Sequence, residues 1–327
     1  MKTAGVTTTI NVPTVLSLYS ELGPNVRWFV AGDLNTPIAA KEFCDALPNC
    51  RFITPAEQER WKSSSLIGFK TDSRRNFAVL EAVEWGADII VSIDDDMIPS
   101  GGAFEMGETF SGLCAGVSGQ WFDAGKFTVP SAKQRGLPVH YGFANAFEPA
   151  VRVPVGVHQG IILGVPDTDS LTAITNEPRI FSVTDVLRHG FVVRPDALTV
   201  FNSQLTAFRR ELAPAFAQFY KWQGRNTDIF ASMIMRRVMR DKGLYTYFGP
   251  PMAYHARKAR PLFNDLKAEM YGLEHIVALS DELEAWKSSP DQSVANAVRF
   301  FYSSSKVMPY PVKEAAAAWI EDIASVL

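Results

Sequence analysis

Short apolar runs alternate with amphipathic segments along the first hundred residues. The runs AGVTTTI, NVRWFVAGD, CRFITP and ADIIVSI have the length and β-branched content of strands, and a helical pattern near residues 72–85 precedes the last of them. In that helix Phe77, Leu80 and Val83 share one side. Glu81 takes another side, as expected of a helix that covers a sheet. Strands alternating with helices predict a parallel α/β sheet.

The pattern changes after this region. Loop-rich pieces predominate over residues 101–200, and a second amphipathic helix begins near Thr227, with Arg236 expected on its solvent side. The rest of the chain has helical patterns whose apolar stripes need a partner surface. The predicted division is one domain in two halves followed by a helical extension: residues 1–261 (halves 1–100 and 101–261) and residues 262–327.

Composition and charge narrow the class of protein without selecting a function. Hydrophobic residues make up 47% of the 327, and the net charge of -3 provides no global positive field for nucleic acid or anionic lipid. Three cysteines without a CxxC pair argue against a disulfide framework or a structural zinc site. No apolar run is long enough to span a bilayer. We expect a cytoplasmic protein without a membrane partner, and leave open whether it forms a homo-oligomer.

The run GADIIVSIDDDMIPS places three consecutive carboxylates, Asp94, Asp95 and Asp96, directly after a buried strand. Carboxylates this close repel one another, and a divalent cation would relieve the repulsion. If the strand continues, Asp94 and Asp96 point to the same side about 7 Å apart and can reach one ion. Oxygen ligands favour Mg²⁺ or Mn²⁺, with water and a substrate diphosphate completing the coordination. For the triplet alone, a solvated acidic turn is the alternative.

Two other predicted strands also end in polar groups. Ligands of open α/β sheets bind beyond the carboxyl ends of the strands. Thr8 and Thr9 close the first strand and Asp33 follows the second, which suits a nucleobase and a ribose. Arg75 opens the helix before the acidic strand, where it can donate to a diphosphate. Each residue alone is weak evidence for a nucleotide site, because strands favour threonine and turns favour aspartate.

Together these features resemble the nucleotide-sugar half of a GT-A fold glycosyltransferase. The ordered segments VTTTINVP, SIDDDMIP, RGLP, VHQGIILGVPDTD, FRREL, NTDIFASM and YHARKARPLFNDLKAE resemble the reversibly glycosylated polypeptide family, whose plant members are UDP-arabinopyranose mutases. The resemblance extends over nearly the whole chain. It implies an α/β, GT-A-like (Rossmann-like) nucleotide-sugar-binding fold with a mixed central sheet and a C-terminal helical extension. It also implies Mn²⁺ or Mg²⁺ as cofactor and a UDP-sugar as donor.

The resemblance further implies roles for matching residues. Asp94, Asp95 and Asp96 occupy the metal and ribose motif. His255 would be a further metal ligand or diphosphate contact, beside a basic run that includes Lys258. Asp228 matches an acidic position that would be the general base of an inverting transferase.

Arg135 in RGLP matches the arginine associated with reversible self-glycosylation. The plant motif continues with a second arginine, where this chain has Gly142. This departure favours transfer to a separate acceptor over the mutase reaction. His158, Asp167 and Asp169 also match the family and would contact the sugar or the acceptor.

The sequence therefore predicts a metal-dependent glycosyltransferase that moves a sugar from a nucleoside diphosphate sugar, expected to be UDP-linked, to an acceptor hydroxyl. A UDP-pentose mutase with reversible self-glycosylation and a non-catalytic UDP-sugar-binding protein are the alternatives. The sequence does not identify the acceptor, and the family resemblance implies a carbohydrate or a protein side chain. A modified DNA base is conceivable if the arginines of two segments form one basic surface, although the net acidity weighs against it: Arg236, Arg237, Arg240, Arg257 and Arg260.

Overall fold

The computed structural model describes residues 1–100, 106–176, 178–255 and 261–327. The strands in these ranges are β1 (Thr3–Thr9), β2 (Arg27–Gly32), β3 (Cys50–Ile53), β4 (Ile89–Ile93), β5 (Met97–Pro99), β6 (Thr109–Ala115), β7 (Thr128–Val129), β8 (Phe147–Gly164), β9 (Ser182–Val183), β10 (Phe191–Val193), β11 (Leu205–Arg209) and β12 (Tyr245–His255). The α-helices are α1 (Val15–Leu22), α2 (Ile38–Ala46), α3 (Pro55–Gln58), α4 (Ser63–Ile67), α5 (Arg75–Glu84), α6 (Ser170–Asn176), α7 (Asp185–His189), α8 (Tyr220–Gln223), α9 (Thr227–Asp241), α10 (Leu262–Ala285), α11 (Val294–Ser304) and α12 (Tyr310–Ala324).

Ten of the described strands form one mixed sheet in the order β3-β2-β1-β4-β11-β8-β6-β10-β12-β5, and β12 also pairs with β8. Strand β1 pairs in parallel with β2 and β4, and β2 pairs in parallel with β3. Strand β11 runs antiparallel to both β4 and β8. The predicted α/β class is confirmed, with a parallel first half inside a mixed sheet.

Strand β8 shows where the loop-rich expectation for residues 101–200 was wrong in part. It is 18 residues long; its first part pairs with β6, and its later part pairs with β11 and β12. Pro149 and Pro154 interrupt the sequence pattern of this strand. A proline within an apolar run lowers the strand signal, so the pattern does not reveal so long an element.

Helices cover both faces of the sheet, and side-chain alternation in the strands supplies both cores. In β2, Phe29 and Ala31 join the core under α5 and α9, whereas Trp28 and Val30 join the core under α1 and α2. Helix α5 was expected to leave Glu81 on an outer side, and this was wrong. Glu81 is 2% exposed and forms ion pairs with two arginines, because further elements pack over the helix.

The C-terminal helices pack on the face covered by α5 and α9. The indole nitrogen of Trp319, on α12, donates to the Pro214 carbonyl at 3.0 Å. Helix α10 covers α9, so the expectation that Arg236 is solvated was wrong: it is buried and pairs with Glu284 at 2.6 Å. The exact domain division stays a prediction. None of the described helices combines the length and apolarity required to cross a membrane.

Candidate active site

The carboxyl ends of β2, β1 and β4 lie side by side, because these strands are parallel neighbours in the sheet. The polar residues that follow them line one open cleft of about 460 Å³, which we call the aspartate cleft. Its walls come from three strand ends and from the segment before α5: Thr8, Thr9, Ile10, Asn11, Asp33, Asn35, Lys70, Thr71, Asp72, Arg75, Asp94, Asp95 and Asp96.

Thr9 and Asp95 join the ends of β1 and β4. The Thr9 hydroxyl donates to the Asp95 carboxylate and receives a hydrogen bond from the Asn11 backbone N–H at 2.9 Å. Burial raises the pKa of Asp95, and the hydrogen bond from Thr9 opposes this effect. Thr8 also lines the cleft, but its hydroxyl donates to the Ala31 carbonyl at 2.8 Å. Of the two predicted threonines, Thr9 is therefore the one tied to the acidic triplet.

Asp33 fixes the loop that forms the opposite wall. One carboxylate oxygen accepts from the Leu34 N–H at 2.6 Å, and the other accepts from the Thr71 N–H at 3.0 Å. The side chain is 4% exposed but reaches the cleft. Asp33 thus holds the 70–72 segment in place while it presents a carboxylate edge to the cleft.

Arg75 lies at the floor of the cleft and connects the two halves of the chain. Its guanidinium pairs with the Asp94 carboxylate and donates to the Ser203 hydroxyl at 2.7 Å and the Ser203 carbonyl at 2.9 Å. The neighbouring Arg74 lies elsewhere, where it is enclosed among backbone carbonyls and aromatic rings. Arg75 therefore belongs to the cleft, whereas Arg74 belongs to the core.

The predicted metal ligands come together only in part. His255 Nε2 lies 3.1 Å from the Asp96 carboxylate, whereas Asp94 is held by Arg75. Strand β4 ends at Ile93, so the acidic triplet lies in a turn, and the strand spacing expected for Asp94 and Asp96 does not apply. Across the described ranges, no group of three or more His, Cys, Asp or Glu side chains is arranged to hold an ion. The metal site stays a prediction.

Lys258 falls in residues 256–260, outside the described residues, as do Arg257 and Arg260. The predicted diphosphate contact of Lys258 is therefore left as a prediction. Arg237 is buried on α9 and donates to the Leu283 carbonyl at 2.9 Å. With Arg236 buried as well, the basic surface on which the DNA-base alternative depended does not form from these two residues.

A second cavity of about 90 Å³ opens from the inner end of the aspartate cleft; we call it the inner cavity. The two share Asp72, Arg75 and Asp94. The remaining lining residues come from the segments around β11, α8 and the start of α9, with one arginine from the RGLP loop: Arg135, Ser203, Gln204, Gln218, Tyr220, Arg225, Thr227 and Asp228.

Arg135 and Asp228, the two predicted catalytic residues, form an ion pair at the wall of this cavity. Two parallel hydrogen bonds of 3.0 Å and 2.8 Å join the guanidinium to the carboxylate. On its other side Arg135 contacts Asp167 at 2.9 Å, and these two carboxylates raise its pKa well above the ordinary value against the effect of burial. Asp228 also accepts from the Ser203 N–H at 3.2 Å. Proton abstraction by Asp228 would require this pair to open.

Asp72 is the carboxylate that the sequence reasoning missed. It lines both cavities, and within the described part of the chain it forms no ion pair and accepts no hydrogen bond through its side chain. Its side chain is open to the cleft, but the crowded walls hinder its hydration. This desolvation raises the pKa of Asp72, and the nearby Asp94 carboxylate raises it further. The signal available in the sequence was only its place three residues before Arg75.

Other residues implied by the resemblance have structural contacts away from the two cavities. Asp169 accepts from the Thr172 N–H at 2.8 Å near the start of α6. His158 packs in the sheet with its ring 4.7 Å from that of Tyr247. A Cβ added to Gly142 would meet no atom within 4 Å, so the backbone there does not itself require glycine.

Comparison with known proteins does not identify a family. A scan against protein-family models gave no match, and a search of curated proteins gave no significant relative. The resemblance based on the sequence motifs therefore stays a prediction.

Proposed function

We propose that this protein is a metal-dependent, GT-A-like glycosyltransferase that transfers a sugar from a UDP-sugar to an acceptor hydroxyl. The observation that carries the proposal is the convergence of Thr9, Asp33, Arg75 and the acidic triplet on one cleft at the carboxyl ends of three adjacent strands. This is the edge at which open α/β sheets bind nucleotides.

Asp96 and His255 are two neighbouring side chains of the kinds that bind a divalent cation. His255 Nδ1 lies 3.0 Å from the Val165 carbonyl, which assigns the ring hydrogen to Nδ1 and leaves an Nε2 lone pair towards the Asp96 carboxylate. A lone pair facing a carboxylate needs a positive charge, either a second ring proton or a cation. Asp96 and His255 would hold Mn²⁺ or Mg²⁺, with Asp94 nearby. The cation would balance the charge on the departing diphosphate.

The remaining residues of the cleft would bind different parts of the nucleotide. Thr9, Asp33 and Asn35 line the aspartate cleft but not the inner cavity, so they would bind the ribose and the base. Arg75 contributes charge at the floor, near the diphosphate, but shares it with Asp94. Lys70 adds a second cation at the wall. Preorganised cations stabilise the negative charge that develops on the leaving group.

Asp72 is the better placed general base. It is open to the junction of the two cavities, and both oxygens of Asp228 are already occupied. A raised pKa suits a base that must accept a proton near neutral pH. Asp228 then acts as a positioning residue that holds Arg135 at the cavity wall.

The test is a turnover assay with Mn²⁺ over a panel of UDP-sugars in the absence of an acceptor, following UDP release and any change in the sugar ring by NMR. We expect slow UDP release that requires Mn²⁺ and is lost in Asp96→Ala and His255→Ala. Asp185→Ala is the matched control, because the Asp185 side chain is 84% exposed on α7.

Two results would overturn the proposal. Ring isomerisation without UDP release would identify the mutase. UDP binding without release or isomerisation, with a series of carbohydrate and peptide acceptors added, would identify a binding protein.

A further inference from the structure

One amide atom of each of two buried glutamines in the inner cavity lacks a hydrogen-bond partner among the described residues. Gln204 Oε1 and Gln218 Nε2 are both shielded from solvent, and neither forms a hydrogen bond within the described part of the chain. The residues are 7% and 1% exposed. Native proteins rarely bury such groups unless water or a ligand satisfies them.

The backbone that carries these glutamines is firmly held. The Asn76 side chain donates to the Gln218 carbonyl at 2.9 Å and accepts from the Gln218 N–H at 3.1 Å. The Gln204 carbonyl accepts from the Asp94 N–H at 3.1 Å, and Arg75 holds the preceding Ser203. Fixed backbone and unpaired amide atoms are the arrangement expected of a preformed binding site.

The size and charge of the inner cavity restrict its ligand. A cavity of about 90 Å³ has room for about six water molecules at roughly 15 Å³ each, which is comparable to one monosaccharide ring. Its arginines are already paired: Arg75 with Asp94, Arg135 with Asp228, and Arg225 with Asp265 at 2.8 Å. The carboxylate of Asp72 adds a negative charge that no cation of the described residues pairs with. The lining therefore suits a neutral polyhydroxy ring and disfavours an acidic one.

We propose that Gln204 and Gln218 bind hydroxyl groups of the donor sugar in the inner cavity and select a neutral, single-ring sugar over a uronic acid. This inference rests on the proposed function, because the nucleotide would occupy the adjoining aspartate cleft. The two cavities share Asp72, Arg75 and Asp94, so a diphosphate at these residues places the sugar at the amides.

The test measures the binding of UDP, UDP-xylose, UDP-glucose and UDP-glucuronate with Mn²⁺ by calorimetry, in the wild type, Gln204→Leu and Gln218→Leu. For each variant we expect unchanged UDP affinity and about tenfold weaker binding of whichever neutral UDP-sugar the wild type prefers, as for one lost hydrogen bond. UDP-glucuronate should bind the wild type more weakly than UDP-glucose. Gln120→Leu is the matched control, because Gln120 is exposed and lies outside both cavities.

Stability gives an independent readout. Leucine removes an unpaired buried polar group, so neither variant should lower the unfolding midpoint of the ligand-free protein. Wild-type affinities for the UDP-sugars in both variants, or a lower midpoint in both, would overturn the sugar site and leave the nucleotide site standing. Absence of UDP binding by the wild type would instead overturn the proposed function, and the sugar site with it.

Discussion

Arg135 and Asp228 face each other through two parallel hydrogen bonds, although they lie 93 positions apart in the chain. The guanidinium is also held by Asp167, so one buried cation joins two carboxylates from different segments. This arrangement links the RGLP loop, the end of β8 and the start of α9. Its first consequence concerns stability.

Arg135→Leu should lower the free energy of unfolding by about 3–5 kcal/mol, because it leaves Asp167 and Asp228 buried without their cation. Urea denaturation measures the change. Arg188→Leu is the control: this arginine forms an exposed pair with Asp185, and the loss should stay within about 0.5 kcal/mol. Equal losses in the two variants would contradict the buried-pair account.

Asp72→Asn should reduce the rate of UDP release by about 100-fold or more while UDP affinity is retained, because the amide cannot accept the proton. The comparison is Asp228→Asn, which disturbs the Arg135 pair and should reduce stability as well as rate. Steady-state kinetics and UDP calorimetry on both variants make the distinction. A wild-type rate in Asp72→Asn combined with inactive, stable Asp228→Asn would assign the base to Asp228.

Asp123 should make stability depend on pH. Burial raises its pKa from 3.8 to about 6, with partial opposition from the Gln134 and Gly125 backbone N–H groups. The folded state therefore favours the protonated acid. The stability contribution is complete below about pH 3.8 and is lost as the pH rises through about 6, by up to about 3 kcal/mol.

Asp123→Asn stays neutral throughout and keeps the acceptor oxygen. Urea unfolding between about pH 4 and about pH 7 should show the variant gaining stability relative to the wild type as the pH rises. A difference between the two proteins that is constant over this range would refute the assigned pKa.

Gly136→Ala should disturb the loop that carries Arg135. Gly136 has a φ of +86°, and an added Cβ would lie 2.2 Å from the Ile229 side chain on α9. We expect a loss of more than about 1 kcal/mol in unfolding free energy, measured by urea denaturation. Gly142→Ala, at a glycine with open surroundings, is the matched control. An equally small effect at both glycines would show that the loop can shift to accommodate the methyl group.

The aspartate cleft could be predicted because the hydrophobic pattern indicates where each strand ends. Thr9, Asp33 and Asp94 follow three apolar runs, and parallel pairing brings such ends to one edge of the sheet. His255 lies beside Asp96, and the role of metal ligand that the family resemblance implied for it stays a prediction.

The inner part could not be predicted, for two physical reasons. Asp72, Gln204 and Gln218 lie outside the strands and α-helices, where no hydrophobic period marks the direction of a side chain. Ion pairing also allows a charged side chain to be buried. The pattern of α9 alone predicts that Arg236 faces solvent, but it packs against Glu284 of α10. A pattern along one segment carries no information about a partner from a distant one.

The contact between Asn76 and Gln218 joins positions 142 residues apart. During synthesis, the first hundred residues can form strands β1 to β4 before the segments that complete the cavities have left the ribosome. The polar edge of that early sheet stays uncovered until β11 and α9 fold. The segment at β11 then shields Arg75, and α9 supplies the partner of Arg135. An N-terminal fragment ending at the acidic triplet should therefore expose hydrophobic and charged surface and aggregate, so the two halves are expected to work only as one inseparable chain.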